Sequence, residues 1–264
     1  MNLNTTRSNE SRLTMPFHTI NGKQVYYDIK GQGTPILMIH GSMSTHRVWD
    51  KQRILAKKYT LLFLDLPGHG QSEPLEGEIT VQRFAGIVAQ LIQKIVHKGV
   101  VVIGHSLGGA ITLQLAFDHA SLLDGLVLVG TGAKLGVLPA ILEGLRTNYQ
   151  AGIELATGQM AFAKGADLAL VERCKEECLR CPQEVGYNDF VACNNFDVRE
   201  RLSEIKVPSL VVVGDEDKLT PVKWSQYLAV HLQNAKLTVI ELAGHMVMLE
   251  QPEKLNQAID AFLS

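Results

Sequence analysis

Short apolar runs rich in β-branched residues alternate along the chain with longer segments whose apolar positions recur every three or four residues. The continuous runs predict strands buried on both faces of a sheet, and the longer period predicts amphipathic helices. Near the start, residues 17–20 and 25–30 flank an Asn-Gly pair and predict a β-hairpin. Further strands are predicted at residues 36–39, 61–66, 100–103, 126–129, 210–213 and 237–242. Helices are predicted at residues 45–58, 81–97, 107–119 and 222–232, and in a closing segment that ends near residue 263.

The alternation stops once, between residues 131 and 201, where the pattern is helical and contains no convincing buried strand. Parallel strands joined by helical crossovers form an open doubly wound sheet, which binds ligands beyond the carboxyl ends of its strands. Because the insert leaves from such an end, we expect it to cover the ligand site. The predicted division is a flexible tail over residues 1–15, a core over residues 16–130 and 202–264, and a helical insert over residues 131–201.

The chain of 264 residues is long enough for one α/β domain with an inserted subdomain. Its formal net charge of −2 gives no indication of a nucleic-acid partner or an anionic membrane surface. No apolar stretch approaches the roughly 18–20 residues of a membrane span, and residues 1–15 lack the apolar centre of a signal peptide. We therefore expect a cytoplasmic protein, a monomer or homodimer, whose partner is a small molecule.

The stretch VVVIGHSLGGA, residues 100–110, places a serine between a predicted strand and a predicted helix. Gly-x-Ser-x-Gly in this context is typical of a nucleophile elbow. Gly104 and Gly108 permit a sharp turn, and the N–H groups at the start of the following helix favour negative charge. The pattern predicts Ser106 as a nucleophile, with a simple small-residue turn as the alternative.

A serine needs a base, and nine histidines compete for that role. His245 follows the last predicted strand and lies at the carboxyl edge of the sheet, so it is the predicted base. His69 lies on another loop at that edge, and the geometry of the elbow should direct His105 away from the site.

The base in turn needs an acid that holds its tautomer and stabilises the imidazolium. Three acidic residues follow the predicted strand at residues 210–213: Asp215, Glu216 and Asp217. Asp217 lies furthest out on this loop and is the predicted acid.

A further loop follows the strand at residues 36–39. There the backbone N–H of Ser42 can face the serine, and with the N–H of Leu107 it forms the predicted oxyanion hole.

Five motifs occur in a fixed order: HGS at 40–42, DLPGHGQS at 65–72, GHSLGG at 104–109, GDEDKLTP at 214–221 and AGHMVMLEQPE at 243–253. With these motifs the chain resembles the α/β-hydrolase superfamily, in the branch of small carboxylesterases, lactonases, perhydrolases and carbon–carbon hydrolases. The resemblance extends over roughly residues 17–264, except for the insert.

The resemblance implies an α/β-hydrolase fold, with a mostly parallel doubly wound sheet of about eight strands and a helical cap formed by the insert. It implies that the acid is the aspartate three residues after the strand-end glycine, which is Asp217. A serine at position 106 argues against haloalkane dehalogenases and epoxide hydrolases, which use a carboxylate there. The single Ser42 in place of an HGGG run argues against lipases of that class.

These observations predict a serine hydrolase that cleaves small carboxylic esters or lactones through an acyl-enzyme intermediate, with no cofactor and no metal. Two alternatives stay open. The same triad can act on the carbon–carbon bond of a diketone, on a thioester or on an amide, or the chain can be a slow-turnover ligand receptor. Substrate contacts are expected from Gly41, Trp49, Leu138, Leu142 and Met246, although the apolar residues of the insert can also pack onto the core.

All four cysteines fall within the insert, at Cys174, Cys178, Cys181 and Cys193. The C-x3-C-x2-C spacing matches the cluster-binding loop of radical S-adenosylmethionine enzymes, with Cys193 as a fourth thiolate. A disulfide is a second interpretation. The spacing i, i+4, i+7 also places three cysteines on one helical face, which favours reduced cysteines packed as small apolar residues.

Overall fold

The computed structural model describes residues 16–96 and 99–264, and they form one eight-stranded sheet covered by helices on both faces. The strands are β1 (Phe17–Ile20), β2 (Lys23–Lys30), β3 (Pro35–Ile39), β4 (Thr60–Leu64), β5 (Val100–His105), β6 (Leu123–Val129), β7 (Ser209–Gly214) and β8 (Ala235–Ile240). Their order in the sheet is β1-β2-β4-β3-β5-β6-β7-β8. The first two strands are antiparallel to their neighbours, and the pairs from β4 to β8 are parallel.

The strand order reverses at β3. From β3 the chain crosses to β4 on one side, and it then returns to place β5 on the other side. Ligands of open α/β sheets bind in the crevice outside the carboxyl ends of the strands at such a switch point. The loops that follow β3 and β5 therefore flank the expected site.

Helices pack on both faces of the sheet. They are α1 (Val81–Ile95), α2 (Leu107–Asp118), α7 (Val222–His231), α8 (Val247–Glu250) and α9 (Pro252–Leu263), together with a 3-10 helix at His46–Lys57. Side chains alternate between the two faces along each strand. In β3, Leu37 and Ile39 pack with α1 and α2, whereas Ile36 and Met38 pack with the 3-10 helix and α9. Two apolar layers result, and the sheet is buried between them.

The chain between β6 and β7 forms α3 (Pro139–Thr147), α4 (Tyr149–Ile153), a π-helical turn (Glu154–Met160), α5 (Leu168–Arg180) and α6 (Gln183–Asn194). An isolated bridge between Lys134 and Asp197 joins the two ends of this segment. Its own apolar cluster contains Ile141, Leu145 and Ile153. The segment is thus helical, and its apolar residues are divided between this cluster and the layer that contains Leu135, Ala192 and Phe196 on one face of the sheet.

The eight-stranded, mostly parallel sheet and its helices confirm the predicted fold. Each predicted strand is present, with ends that differ by up to three residues. The hairpin turn is made by Asn21 and Gly22, whose φ angles of 49° and 79° are those a two-residue hairpin turn requires. The tail predicted for residues 1–15 and the end of the helix predicted to reach residue 97 lie outside the described residues. Within the described ranges, no helix is long and apolar enough to cross a membrane.

Candidate active site

Ser106 lies at the sharp turn between β5 and α2. Its φ of 54° and ψ of −115° are strained for a residue with a side chain, and such conformations persist only where the surroundings enforce them. Here the N–H of Ser106 donates to the carbonyl of Val129, and its carbonyl accepts from the hydroxyl of Thr131, at 2.9 Å. A Cβ atom at Gly104 would overlap the backbone of Gly108. The turn predicted from the glycine spacing is therefore present, and it is fixed by the neighbouring strand.

His245 and Asp217 meet at the carboxyl end of the sheet, where both are buried. Nδ1 of His245 lies 2.8 Å from Oδ2 of Asp217. The hydroxyl of Thr220 donates to the same carboxylate oxygen at 2.7 Å and lies 3.2 Å from Nδ1 of His245. The backbone N–H groups of Leu219 and Thr220 donate to Oδ1. The carboxylate thus accepts hydrogen bonds from four groups.

These contacts keep Asp217 ionised. Burial would raise the pKa of Asp217, but the charge of His245 and the hydrogen bonds from His245 and Thr220 outweigh it and lower the pKa to about 2. An ionised carboxylate at Nδ1 holds the imidazole in the tautomer that leaves Nε2 as the proton acceptor. The pair therefore has the electrostatics of an acid and a base.

Ser106 and His245 line one cavity, and their elements are in direct contact. Nε2 of His105, the residue before the serine, lies 3.1 Å from the carbonyl oxygen of His245, and the two rings are 4.6 Å apart. In the described chain, the hydrogen bonds of the His245 ring run through Nδ1 alone. Hydrogen bonds between a nucleophile and its base are often long in an unliganded enzyme and tighten when substrate binds.

The other candidate bases and acids have different surroundings. Nε2 of His69 is bound to Asp189 at 2.8 Å. Burial, together with the charge of His245, holds the pKa of His105 well below its usual value. Asp215 accepts the N–H of Ala243, and Glu216 accepts the N–H of a residue in the insert. Of the three neighbouring acids, Asp217 is thus the one that contacts His245.

The loop after β3 passes directly beside Ser106. A Cβ atom at Gly41 would lie 3.2 Å from Cβ of Ser106, so a residue with a side chain would crowd the site. Ser42 lines the cavity. Leu107 is the first residue of α2, and the first N–H groups of a helix have no partner within the helix. The predicted oxyanion residues Ser42 and Leu107 therefore lie on the two segments that adjoin Ser106.

The cavity has a volume of about 1020 Å³ and extends under the insert. Two of the predicted contact residues, Leu138 and Met246, line it. Gly41, Trp49 and Leu142 are not among the described residues that line it, and their contact with substrate stays a prediction. The 3-10 helix turns Trp49 inward onto the sheet, Gly41 packs beneath the serine, and on α3 it is Ile141 that lines the cavity instead of Leu142.

Several residues at the site were missed by the sequence analysis. Thr220 follows Asp217 by three residues, a spacing that permits a hydroxyl to bond back to the carboxylate. Glu250 accepts the N–H of Gly244 at 2.9 Å and that of Ala163 at 2.8 Å, which ties the His245 loop to the insert. Asp189 bonds to the loop after β3. Thr220 has a local signal, whereas Ala163 and Met43, the partners of Glu250 and Asp189 in other segments, lie far away from them in sequence.

The cysteines are unpaired, and Cys174, Cys178 and Cys193 line the cavity. Burial raises the pKa of Cys174 to about 11 and that of Cys178 and Cys193 to about 12, so the thiols are protonated. Nowhere in residues 16–96 and 99–264 do three or more His, Cys, Asp or Glu side chains form a group that could hold a metal ion. Cys178, Cys181 and Cys193 are buried within the apolar clusters.

Comparison with known proteins gives a consistent result. The model of a family described as "Alpha/beta hydrolase family" matches residues 36–258. A solved structure described as a thermophilic esterase is 38% identical, with a TM-score of 0.84, and the match covers 94% of this chain and 96% of that one. Two curated relatives from Acinetobacter baylyi are each 26% identical over 92% of this chain. They are (E)-2-((N-methylformamido)methylene)succinate hydrolase, covered to 95%, and 3-oxoadipate enol-lactonase 1, covered to 94%.

Proposed function

The chain belongs to the alpha/beta hydrolase family, and on that premise we propose that it is a serine hydrolase that cleaves small carboxylic esters or lactones. The observation that carries the proposal is the buried hydrogen bond between His245 and Asp217, at 2.8 Å, beside a serine in a strained elbow. A serine, an imidazole and a carboxylate in one cavity are the components of acyl transfer. The 38% identity to a thermophilic esterase supports the ester-cleaving reaction.

In the proposed mechanism, Oγ of Ser106 attacks the substrate carbonyl while Nε2 of His245 takes its proton. Asp217 holds the imidazole and stabilises the imidazolium that forms. The N–H groups of Ser42 and Leu107 stabilise the oxyanion of the tetrahedral intermediate. His245 then protonates the leaving alcohol, which departs. A water molecule repeats the sequence on the acyl-enzyme and releases the acid and Ser106.

The cavity indicates what kind of ester fits. Its volume of about 1020 Å³ lies at the upper end of the usual range for small-molecule sites. The part of its wall that the insert supplies is largely apolar, with Leu138, Ile141, Ala156, Met160 and Phe190. We therefore propose that residues 131–201 act as a cap over the core and that the cap receives an apolar portion of the substrate. A small-molecule partner, a cytoplasmic location and a monomeric or homodimeric state stay predictions.

The replacement Ser106→Ala tests this proposal. Removing the nucleophile should lower kcat for p-nitrophenyl acetate by at least about 10³-fold, because the remaining groups cannot form the acyl-enzyme. The matched control is Ser44→Ala, which removes another hydroxyl that lines the cavity. Its rate should stay close to that of the wild type. Circular dichroism confirms that both variants are folded, and wild-type turnover by Ser106→Ala would refute the proposal.

The same residues can act on another bond, since one of the relatives is named as the hydrolase of a formamido-substituted succinate. A panel of esters, lactones, thioesters, amides and a diketone discriminates these reactions. We expect the highest kcat/KM on an ester or lactone. A kcat/KM at least tenfold higher for the diketone or an amide would indicate that the same three residues act on that bond instead. Tight binding without turnover on every class would favour the ligand receptor.

A further inference from the structure

We propose that Asp189, a residue of helix α6 in the insert, is a positioning residue for the oxyanion loop. The oxyanion loop is defined here as residues 41–43, which follow β3. The inference rests on the proposed function, because the loop matters only if the N–H of Ser42 stabilises an oxyanion. The insert then positions the N–H of Ser42 in addition to covering the substrate.

The carboxylate of Asp189 is completely buried and bonds to the core of the protein. Its Oδ2 accepts the backbone N–H of Met43 at 3.0 Å and the ring N–H of His69 at 2.8 Å. Within the described chain, its Oδ1 is buried without a hydrogen-bond partner. A hydrogen bond from a backbone N–H to a carboxylate is roughly twice as strong as one to a neutral acceptor. Both hydrogen bonds of Asp189 thus join α6 to loops at the carboxyl edge of the sheet.

Met43 needs such an anchor because its φ is 53°. The left-handed region is unfavourable for a residue with a side chain, and it persists where the surroundings enforce it. The anchor comes from the insert. The Met43 side chain packs in the cluster of Ile141, Leu145 and Ile153, while Asp189 holds its N–H.

Helix α6 contacts the loop along one face. A Cβ atom at Gly186 would lie 2.9 Å from Cγ of Met43, and Sγ of Cys193 lies 3.7 Å from the hydroxyl of Ser42. Gly186, Asp189 and Cys193 follow one another at spacings of three and four residues, which places them on the same side of a helix. The helix therefore holds both Ser42 and its neighbour Met43.

The peptide unit that carries the Met43 N–H is the one that follows Ser42. Loss of its acceptor allows this peptide to rotate, and the rotation moves the N–H of Ser42 relative to Ser106. Oxyanion donors act in the transition state and contribute little to the binding of the ground state. Removal of the Asp189 carboxylate should consequently lower kcat and leave KM nearly unchanged.

The test compares Asp189→Ala with Asp189→Asn. The alanine variant has no acceptor for the Met43 N–H, and we expect kcat for p-nitrophenyl acetate to fall about 10- to 100-fold. This loss does not exceed the one that follows complete removal of an oxyanion donor. The asparagine oxygen still accepts the Met43 N–H, but without charge, so kcat should fall about 2- to 10-fold. In both variants KM should stay within about threefold. Affinity for a trifluoromethyl ketone, which mimics the tetrahedral intermediate, should fall in parallel with kcat.

Gln183→Met is the matched control. It lies on the same helix and loses hydrogen bonds to the carbonyls of Leu145 and Arg146, which are within the insert. We expect it to lower the melting temperature without changing kcat. If Asp189→Ala does not fold, Asp189→Asn decides the question. Folded Asp189 variants that keep wild-type kcat and wild-type affinity for the ketone would overturn the inference. Such a result beside an inactive Ser106→Ala would leave the proposed function intact.

Discussion

At the scale of the residue, the most informative side chain is Thr220. Its hydroxyl and the imidazole of His245 donate to the same oxygen of Asp217, at 2.7 Å and 2.8 Å. A hydroxyl that bonds to a carboxylate takes up part of its negative charge. The stabilisation that Asp217 gives to the imidazolium is therefore weaker than it would be without Thr220.

This geometry predicts a shift in the pH profile of Thr220→Val, which replaces the hydroxyl with a methyl group. The carboxylate loses a donor and should attract the imidazolium more strongly. We expect the acidic limb of kcat/KM to move to higher pH by about 0.5–1 unit. Thr220→Ser keeps the hydroxyl and should keep the wild-type profile. A profile that is unchanged in the valine variant would contradict this role for Thr220.

The positions of single residues at the candidate site could be predicted from the sequence where the signals are local. Ser106, Asp217 and His245 each stand in a short motif at a strand end, and strand ends converge at one edge of a parallel sheet. Trp49 could not be placed by this reasoning, because its direction depends on how the 3-10 helix packs on the sheet. Asp189 had no local signal, since its partner Met43 is 146 residues away in sequence.

At the scale of the element, the turn from β5 into α2 depends on close backbone contacts. A Cβ atom at Gly108 would overlap the carbonyl of Ile39 and lie 2.6 Å from the carbonyl oxygen of His40. These atoms belong to β3 and its loop, so α2 begins in direct contact with the strand that precedes the oxyanion loop. The glycine thus brings Ser106 close to the loop that carries Ser42.

We predict that Gly108→Ala lowers the free energy of unfolding by about 1–3 kcal/mol, because the methyl group must displace backbone rather than a flexible side chain. Gly86→Ala in α1 is the control, since a Cβ atom there meets nothing within 4 Å. Alanine at that position should stabilise the helix by about 0.5–1 kcal/mol. Urea denaturation measures both. Equal stabilities for the Gly108 variant and the wild type would show that the backbone at Ile39 and His40 leaves room for a methyl group at position 108.

The pattern of apolar positions predicted helices and strands well where burial in the core determines which positions are apolar. The continuous run in β5 and the amphipathic α1 were both placed within about three residues of their observed ends. The pattern did not predict the π-helical turn at Glu154–Met160, because a π-helix and an α-helix have similar apolar periods over one or two turns. The pattern also did not predict the order of the strands in the sheet.

At the scale of the whole molecule, the insert and the core are joined at the loops that carry the proposed chemistry. Asp189 bonds to the oxyanion loop, and Glu250 links the loop of His245 to Ala163 in the insert. The backbone N–H of His245 itself donates to the carbonyl of Ala161. The segment that lines the cavity therefore also contacts the loop of His245 and the loop of Ser42, so the proposed cap and the proposed catalytic residues are joined in one arrangement.

The central claim is that Ser106 is the nucleophile of this arrangement, and covalent labelling tests it most directly. A fluorophosphonate reacts with a serine only when a base and an oxyanion hole activate it. We predict that intact-protein mass spectrometry finds one adduct per chain, that peptide mapping places it on Ser106, and that turnover of p-nitrophenyl acetate falls in proportion to the labelled fraction. An adduct on another residue, or full turnover by completely labelled protein, would contradict the account.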